Sequence, residues 1–432
     1  MTGPMGAAGN ARHRVAIVGG GVAGLDLAGI LGRDPQLDVT LVDLATTHVW
    51  KPMLHSIAAG THDAAQVGVA YVAQARRHGF TYVPGRVEGV DPQDRILRLA
   101  PFRFHGRPLL PERTLGYDTL VLAVGSVAAD FGVDGVTEHA CHIDTLEQAC
   151  AFQSDIAPRL IEAARTGTPL RIAIVGGGAT GVQLASELLQ MADIADAYGI
   201  GGGRRSLAIT LLDRGTRLLP AFPDRVSQAA RARLEELGVT VMTGVDVTAV
   251  EAGGLRMGDE RVPADRCVWA AGVQAAPLAA SLERLERGRD GRLVVDTGCR
   301  STSFPDIFAI GDCAALTPAG EERPLPPTAQ IAYQQAVYLG RWLPDLIAGR
   351  TAPPFRYRDL GALVQLGGYD AYGALGRFGV FGGGFLRGRV AQAGHAFLYR
   401  RHQMRLHGVA AAIGLWAADH LSAGARPSTK LD

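Results

Sequence analysis

Three glycines, Gly19, Gly21 and Gly24, stand in G-x-G-x-x-G order, and a carboxylate, Asp43, follows at the end of the apolar run "DVTLVD". Each glycine answers a steric demand: one permits a tight turn, one lets the backbone approach a pyrophosphate, and one lets a helix pack closely on a strand. The apolar run Val15 to Val18 before them reads as a strand, and Val22, Leu25 and Ala28 after them open a helix. A helix N-terminus there offers unpaired N–H groups and partial positive charge to phosphates. A carboxylate about 20 residues on can accept the ribose hydroxyls of an adenine nucleotide.

The same grammar appears twice. "AIVGGGATGVQLA" at 173–185 echoes "AIVGGGVAGLDLA" at 16–28, with Gly176, Gly178 and Gly181 in the glycine positions and "LAITLLD" ending at Asp213. The inserted "ADAYGIGGGRRS" has the glycines of a surface loop. An acid rather than an arginine at the strand end favours NADH over NADPH, because a 2′-phosphate would be repelled. Two dinucleotide cradles in one chain imply electron transfer between their occupants.

The elements that must position these residues are also legible. "LGYDTLVLAVGS" and "ADRCVWAAGV" are strands ending on small-residue turns at Gly125 and Gly272, where the chain passes between nucleotide-binding units. "TSFPDIFAIGDCAAL" is a buried strand that delivers Asp312 to a helix start, where it can meet a ribitol hydroxyl or a pyrophosphate water, or act as a plain N-cap.

Composition bounds the alternatives. A chain of 432 residues has room for roughly two to three domains. Its 43 Lys and Arg against 42 Asp and Glu give no overall footprint for nucleic acid. The five cysteines show no C-x-x-C and no short-spaced redox pair, which fits reduced thiols in a reducing compartment and argues against disulfide reductase chemistry. His48, His55 and His62 are spaced by seven, which suits a helical stripe better than ligands, so no metal site is expected. The first residues lack the apolar stretch of a signal peptide, and no run approaches the roughly 18 apolar residues of a spanning helix. A chain without a spanning helix is not expected to pump protons.

At this point the sequence resembles the flavoproteins with two dinucleotide-binding domains, FAD on the first and NAD(P)H on the second. "THVWKPMLHSIAAGTHD" (47–63) is similar to the flavin-flanking segment of the bacterial type II NADH dehydrogenases, the single-subunit NADH:quinone oxidoreductases. "LPPTAQIAYQQAVYLGRWL" (325–343) is similar to that family's A-Q-x-A-x-Q helix on the quinone side of the flavin. The resemblance implies FAD contacts from Gly19, Gly21, Gly24, Asp43, Lys51, the Val87 backbone, Gly125 and Asp312. It implies NADH contacts from Gly176, Gly178, Thr180, Gly181, Asp213 and Gly272, and places Gln330 and Gln334 near the quinone. Two positions depart from the family pattern. Gln183 stands where a glutamate beside the nicotinamide is usual, and Tyr333 where many members carry a histidine, so proton delivery from either position is in doubt.

Residues 355–432 carry ten Lys and Arg against four Asp and Glu, a net +6 in a chain whose total is +1. There, Leu398, Leu406, Val409, Ile413 and Trp416 fall at helical spacing, with Arg400, Gln403 and His407 on the other side. That is the pattern of a helix lying in a membrane interface, with a core-packing helix as the alternative.

The reading is an α/β chain of two doubly wound, Rossmann-like domains plus a C-terminal membrane-associating segment. The FAD domain is expected at 12–140 and 285–350, the NADH domain at 141–284 and the membrane-associating region at 351–432. The implied activity is hydride transfer from NADH to FAD, with Gln183, Gln330 and Gln334 as the catalytic candidates, and then two electrons to a membrane quinone. The expected place is peripheral, on the cytoplasmic face of the inner (plasma) membrane; the oligomeric state stays open, a homodimer among the options. A sulfide:quinone oxidoreductase-like enzyme and a non-catalytic FAD/NADH redox sensor are the alternatives. The sulfide reading needs cysteines facing the flavin, for which Cys141, Cys299 and Cys313 are available; a sensor needs no acceptor helix.

Overall fold

The computed structural model describes residues 12–104, 106–375 and 385–422; part of the expected C-terminal region, 376–384 and 423–432, lies outside them. The strands that build the two sites are β1 (His13–Val18), β2 (Leu37–Asp43), β3 (Thr81–Pro84), β4 (Thr119–Leu122), β5 (Ala140–Cys141), β6 (Leu170–Val175), β7 (Leu207–Asp213), β8 (Thr240–Thr243), β9 (Arg266–Trp269) and β10 (Ile307–Ala309). The helices around them are α1 (Val22–Leu31), α2 (Leu54–Ala58), α3 (Leu146–Thr166), α4 (Ala179–Ala197), α5 (Asp224–Glu236), α6 (Ala329–Ile347), α7 (Arg389–His407) and α8 (Val409–Ser422).

The chain divides into two compact units. The first takes residues up to His48, Val69–Ser126 and Ala275–Tyr357; the second takes Val49–Gly68, Val127–Gln274 and the residues from Arg358 on. The junctions thus fall at 126 and 274 rather than 140 and 284, and the C-terminal residues are grouped with the second unit.

Each unit is built on a five-stranded sheet of the same plan, β10-β4-β1-β2-β3 in the first and β5-β9-β6-β7-β8 in the second. All the pairs in both are parallel. Parallel sheets need crossover helices, so their central strands are covered on both faces and read as continuous apolar runs. Ile17, Leu41, Ile174 and Leu211 are accordingly fully buried. In the first sheet Val18 pairs with Val42, and in the second Val175 pairs with Leu212. That register sets each glycine turn beside the strand that ends on an aspartate.

The glycine turns have the same backbone in both units. Gly19 (φ 101°) and Gly176 (φ 119°) adopt a conformation that L side chains rarely reach, and their N–H groups donate to Val42 O and Leu212 O at 2.8 and 2.7 Å. A Cβ on Gly24 would fall inside contact distance of the Gly19 carbonyl, and one on Gly181 would meet Gly176 in the same way. Cβ atoms on Gly21 and Gly178 would meet nothing within 4 Å.

The expected single C-terminal helix is broken. Gly408 (φ 75°) separates α7 from α8, and Leu406 is buried while Val409, Ile413 and Trp416 are exposed, so the five apolar residues do not form one face. The three histidines do not share a helix either. His48 lies in a two-residue strand and His55 in the short α2, while His62 follows that helix in a turn. A repeat of seven needs an unbroken helix, which Pro52 and Gly60 do not allow here.

These contacts separate two kinds of glycine. Gly24→Ala and Gly181→Ala should each cost about 1–3 kcal/mol through overpacking. Gly21→Ala and Gly178→Ala should leave the apoprotein melting temperature near wild type. Thermal unfolding of the four variants distinguishes the classes, and equal losses in all four would contradict the packing described.

Candidate functional site

Each glycine turn is held by the aspartate at the end of the neighbouring strand. Asp43 accepts the Gly20 N–H at 2.5 Å and the Ala45 N–H at 2.8 Å. Asp213 accepts the Gly177 N–H at 2.5 Å and the Gly215 N–H at 2.6 Å. Charge-assisted bonds of this kind are about twice as strong as neutral ones and fix both carboxylates at the lip of the turn. Gly21 and Gly178 are the N-caps of α1 and α4, where no side chain caps the helix. The open space over these two glycines lies where the helix N-terminus favours an anion, as a dinucleotide pyrophosphate requires. The residues present fit two dinucleotides.

The remaining predicted positions fall as follows. In the first unit, Val87 is buried at the start of the strand Val87–Asp91, and Gly125 (φ 72°) follows β4 with open space over it. Asp312, in the turn Gly311–Cys313, accepts a hydrogen bond from the Ser126 hydroxyl at 2.8 Å. Gln330 and Gln334 begin α6; the Gln334 amide is 3.5 Å from Gln330 Oε1, which also accepts the Tyr357 hydroxyl at 3.1 Å. Lys51 belongs to the second unit, 3.9 Å from Asp144. There, Thr180 is exposed in the first turn of α4 and Gln183 is buried one turn further on. Gly272 (φ 63°) is covered by the Phe131 ring.

Five supporting residues were not apparent from sequence. In the first unit the Gly20 carbonyl accepts the Tyr71 hydroxyl at 2.8 Å and lies 2.9 Å from His48 Nδ1, and Tyr82 donates to Ala45 O at 2.5 Å. Burial first, and then the Asp43 charge, raises Tyr71 well above the usual tyrosine value and pushes Tyr82 up to about 12. Gln335, fully buried, accepts the Gly311 N–H at 2.7 Å and so holds the turn that carries Asp312. The fifth is Glu187, on α4 four residues after Gln183. It is buried, and its carboxylate accepts the Ser56 hydroxyl at 3.2 Å and the hydroxyl of Thr61. Burial raises its pKa more than the two hydroxyls lower it. An acid between apolar neighbours in the first half of α4, ahead of Asp193 and Asp196 near its end, was the one available sequence signal.

The cysteines needed for a sulfide reaction are poorly placed for thiolate chemistry. Cys299 and Cys313 are fully buried, and burial raises both thiols, Cys313 to about 11. Cys141 is half-buried and also raised by burial.

Residues 13–336 match the family model for pyridine nucleotide-disulphide oxidoreductases. A type II NADH:quinone oxidoreductase from Haemophilus influenzae is 36% identical over 443 residues, which span 96% of this chain and 99% of that relative. The chain belongs to this family, among the type II NADH:quinone oxidoreductases. Two solved structures share the fold. NDH2 from Plasmodium falciparum, in complex with NADH, superposes with a TM-score of 0.81 at 18% identity, covering 97% of this chain and 100% of that one. The sulfide:quinone oxidoreductase of Aquifex aeolicus gives a TM-score of 0.71 at 18% identity, with 92% of each chain covered. Within the type II family, Gln183 gives the first turns of α4 a neutral amide, and Glu187 is the acid nearest to it along the helix.

Glu187 makes a signed prediction. A carboxyl with a raised pKa in the folded state contributes stability that is present at low pH and lost as pH rises through that value. Glu187→Gln removes the desolvation cost, so its melting temperature should exceed wild type at neutral pH. The gap should close as pH falls towards the ordinary glutamate value of about 4.3. Glu187→Ala leaves the buried Ser56 hydroxyl without its acceptor and the Thr61 hydroxyl with only the Ser56 carbonyl, and should cost about 1–3 kcal/mol. A pH-independent difference between Glu187→Gln and wild type would refute the assignment.

Proposed function

We propose that this chain oxidises NADH through bound FAD and passes the electron pair to a membrane quinone, without pumping protons. The observation that carries the reading is the doubled cradle, two glycine turns with matching aspartate contacts, in a member of the type II NADH:quinone oxidoreductases. The flavin, when bound, supplies the redox chemistry by accepting a hydride and releasing two electrons; the protein supplies position and electrostatics.

The first unit is assigned to FAD, through Gly19, Gly21, Gly24, Asp43, Val87, Gly125 and Asp312. The second is assigned to NADH, through Gly176, Gly178, Thr180, Gly181, Asp213 and Gly272. Both cradles leave the second glycine open, which is the feature a pyrophosphate needs. Gln183 can donate to and accept from a carboxamide, so it orients the nicotinamide without carrying charge. Gln330 and Gln334 are assigned to the quinone side.

Attachment to the membrane is peripheral, at the cytoplasmic face. Among the described residues, no helix is long and apolar enough to cross a bilayer. The attaching surface is α8, where Val409, Ile413 and Trp416 share one face at exposures of 62, 58 and 48%. Single exposed apolar residues are common, whereas three at helical spacing ending in tryptophan suit a lipid interface.

Three measurements test the reading. The purified protein should show a flavin spectrum that NADH bleaches and a short-chain quinone restores; bleaching without restoration would favour a sensor. Gln183→Glu should add a new acid limb to the pH profile of flavin reduction, because a buried carboxyl one turn from Glu187 is desolvated and repelled when ionised. An unchanged profile would remove Gln183 from the site. The triple variant V409S/I413S/W416S should release the protein from anionic vesicles while NADH oxidation with a water-soluble acceptor persists; undiminished sedimentation with the vesicles would exclude α8 as the anchor.

A further inference from the structure

The two cradles match at the aspartate and diverge at the residue after it. Asp43 is followed by Leu44, exposed and apolar; Asp213 is followed by Arg214, exposed and cationic. Among the described residues Arg214 has no hydrogen-bond or ion-pair partner. The other basic residue of the same turn is committed: Arg217 donates to Phe222 O and Pro220 O at 2.9 Å each and lies 3.2 Å from Asp224. The adenosine ribose of a dinucleotide lies against the strand-end acid, so a substituent on its 2′-oxygen emerges at this lip. A guanidinium there meets a phosphate with two parallel N–H groups.

From this juxtaposition we propose that Arg214 is a 2′-phosphate contact and that the second cradle accepts NADPH as an alternative hydride donor. The inference rests on the assignment of the second unit to NADH. Asp213 sets the preference: its carboxylate, pinned by two backbone N–H groups, accepts from a 2′-hydroxyl and repels a 2′-phosphate. The cation that NADPH requires is already in place, so loss of the acid alone exchanges the preferred donor. The first cradle, with Leu44 in the same place, offers no such contact.

The test uses the holoenzyme as wild type, Asp213→Ala, Arg214→Gln and the double variant. Each is assayed for kcat/KM with NADH and NADPH, and for binding of adenosine 2′,5′-bisphosphate and ADP by fluorescence titration. Asp213→Ala should weaken NADH and raise the NADPH to NADH ratio above one. Adding Arg214→Gln should then lower kcat/KM for NADPH and weaken adenosine 2′,5′-bisphosphate by about tenfold or more, as loss of a charge-assisted bond implies, while ADP changes by less than about twofold. If Asp213→Ala weakens NADH but Arg214→Gln changes the two probes equally or not at all, the proposal falls and the NADH site stands. If Asp213→Ala leaves NADH unchanged, the assignment of the second cradle falls, and the proposal with it.

Discussion

Both sheets end a strand on an aspartate whose carboxylate turns inward, Asp43 onto the Gly20 N–H and Asp213 onto the Gly177 N–H, each at 2.5 Å. Much else follows from placing an anion there. It must sit on the strand adjacent to the one that feeds the glycine turn, which demands parallel pairing in the observed register. Parallel neighbours demand a crossover, and the crossover is the helix whose N-terminus opens over the turn. The third glycine must let that helix approach, which is why a Cβ on Gly24 or Gly181 has no room. Anion, register, helix and glycine therefore form one mutually dependent arrangement, which occurs twice.

The copies differ in how the turn is supported from the other side. In the first unit the Gly20 carbonyl is met by Tyr71 and His48. In the second the equivalent Gly177 carbonyl accepts the Leu219 N–H at 2.8 Å, and the Leu218 side chain packs against the glycine. Either solution satisfies a carbonyl that would cost free energy if buried unpaired. The polar version places a raised-pKa tyrosine beside Asp43, where it stays a hydrogen-bond donor across the working pH range.

The glycine spacings, the strands before them and the acids after them were legible because each depends on local sterics and on a period that a short window carries. Residues that act through distant partners were not. Tyr71 reaches Gly20 across 51 positions and Glu187 reaches Ser56 across 131, and no local pattern encodes either meeting. Nothing in the local pattern sets Gln335 apart from Gln330 and Gln334, although it is the fully buried one that holds Gly311. The apolar spacing of the C-terminal segment runs through a glycine. An apolar spacing can cross Gly408 without a gap, whereas the backbone there, at φ 75° and ψ 163°, does not continue a helix.

The substitution at position 183 and the acid at 187 are best understood together. Both side chains are buried on the same face of α4, one turn apart, Gln183 at 8% exposure and Glu187 at 4%. Two carboxylates so placed would share a low-dielectric site, and the second to ionise would meet both desolvation and a like charge. Glu187 is already anchored by hydroxyls from Ser56 and Thr61, whereas the first turns of α4 face the open space of the cradle over Gly178. A neutral amide at 183 therefore removes the repulsion while keeping a donor and an acceptor at the position nearer the cradle. Of these two positions, the acid stands at the one whose charge is supported by two hydroxyls.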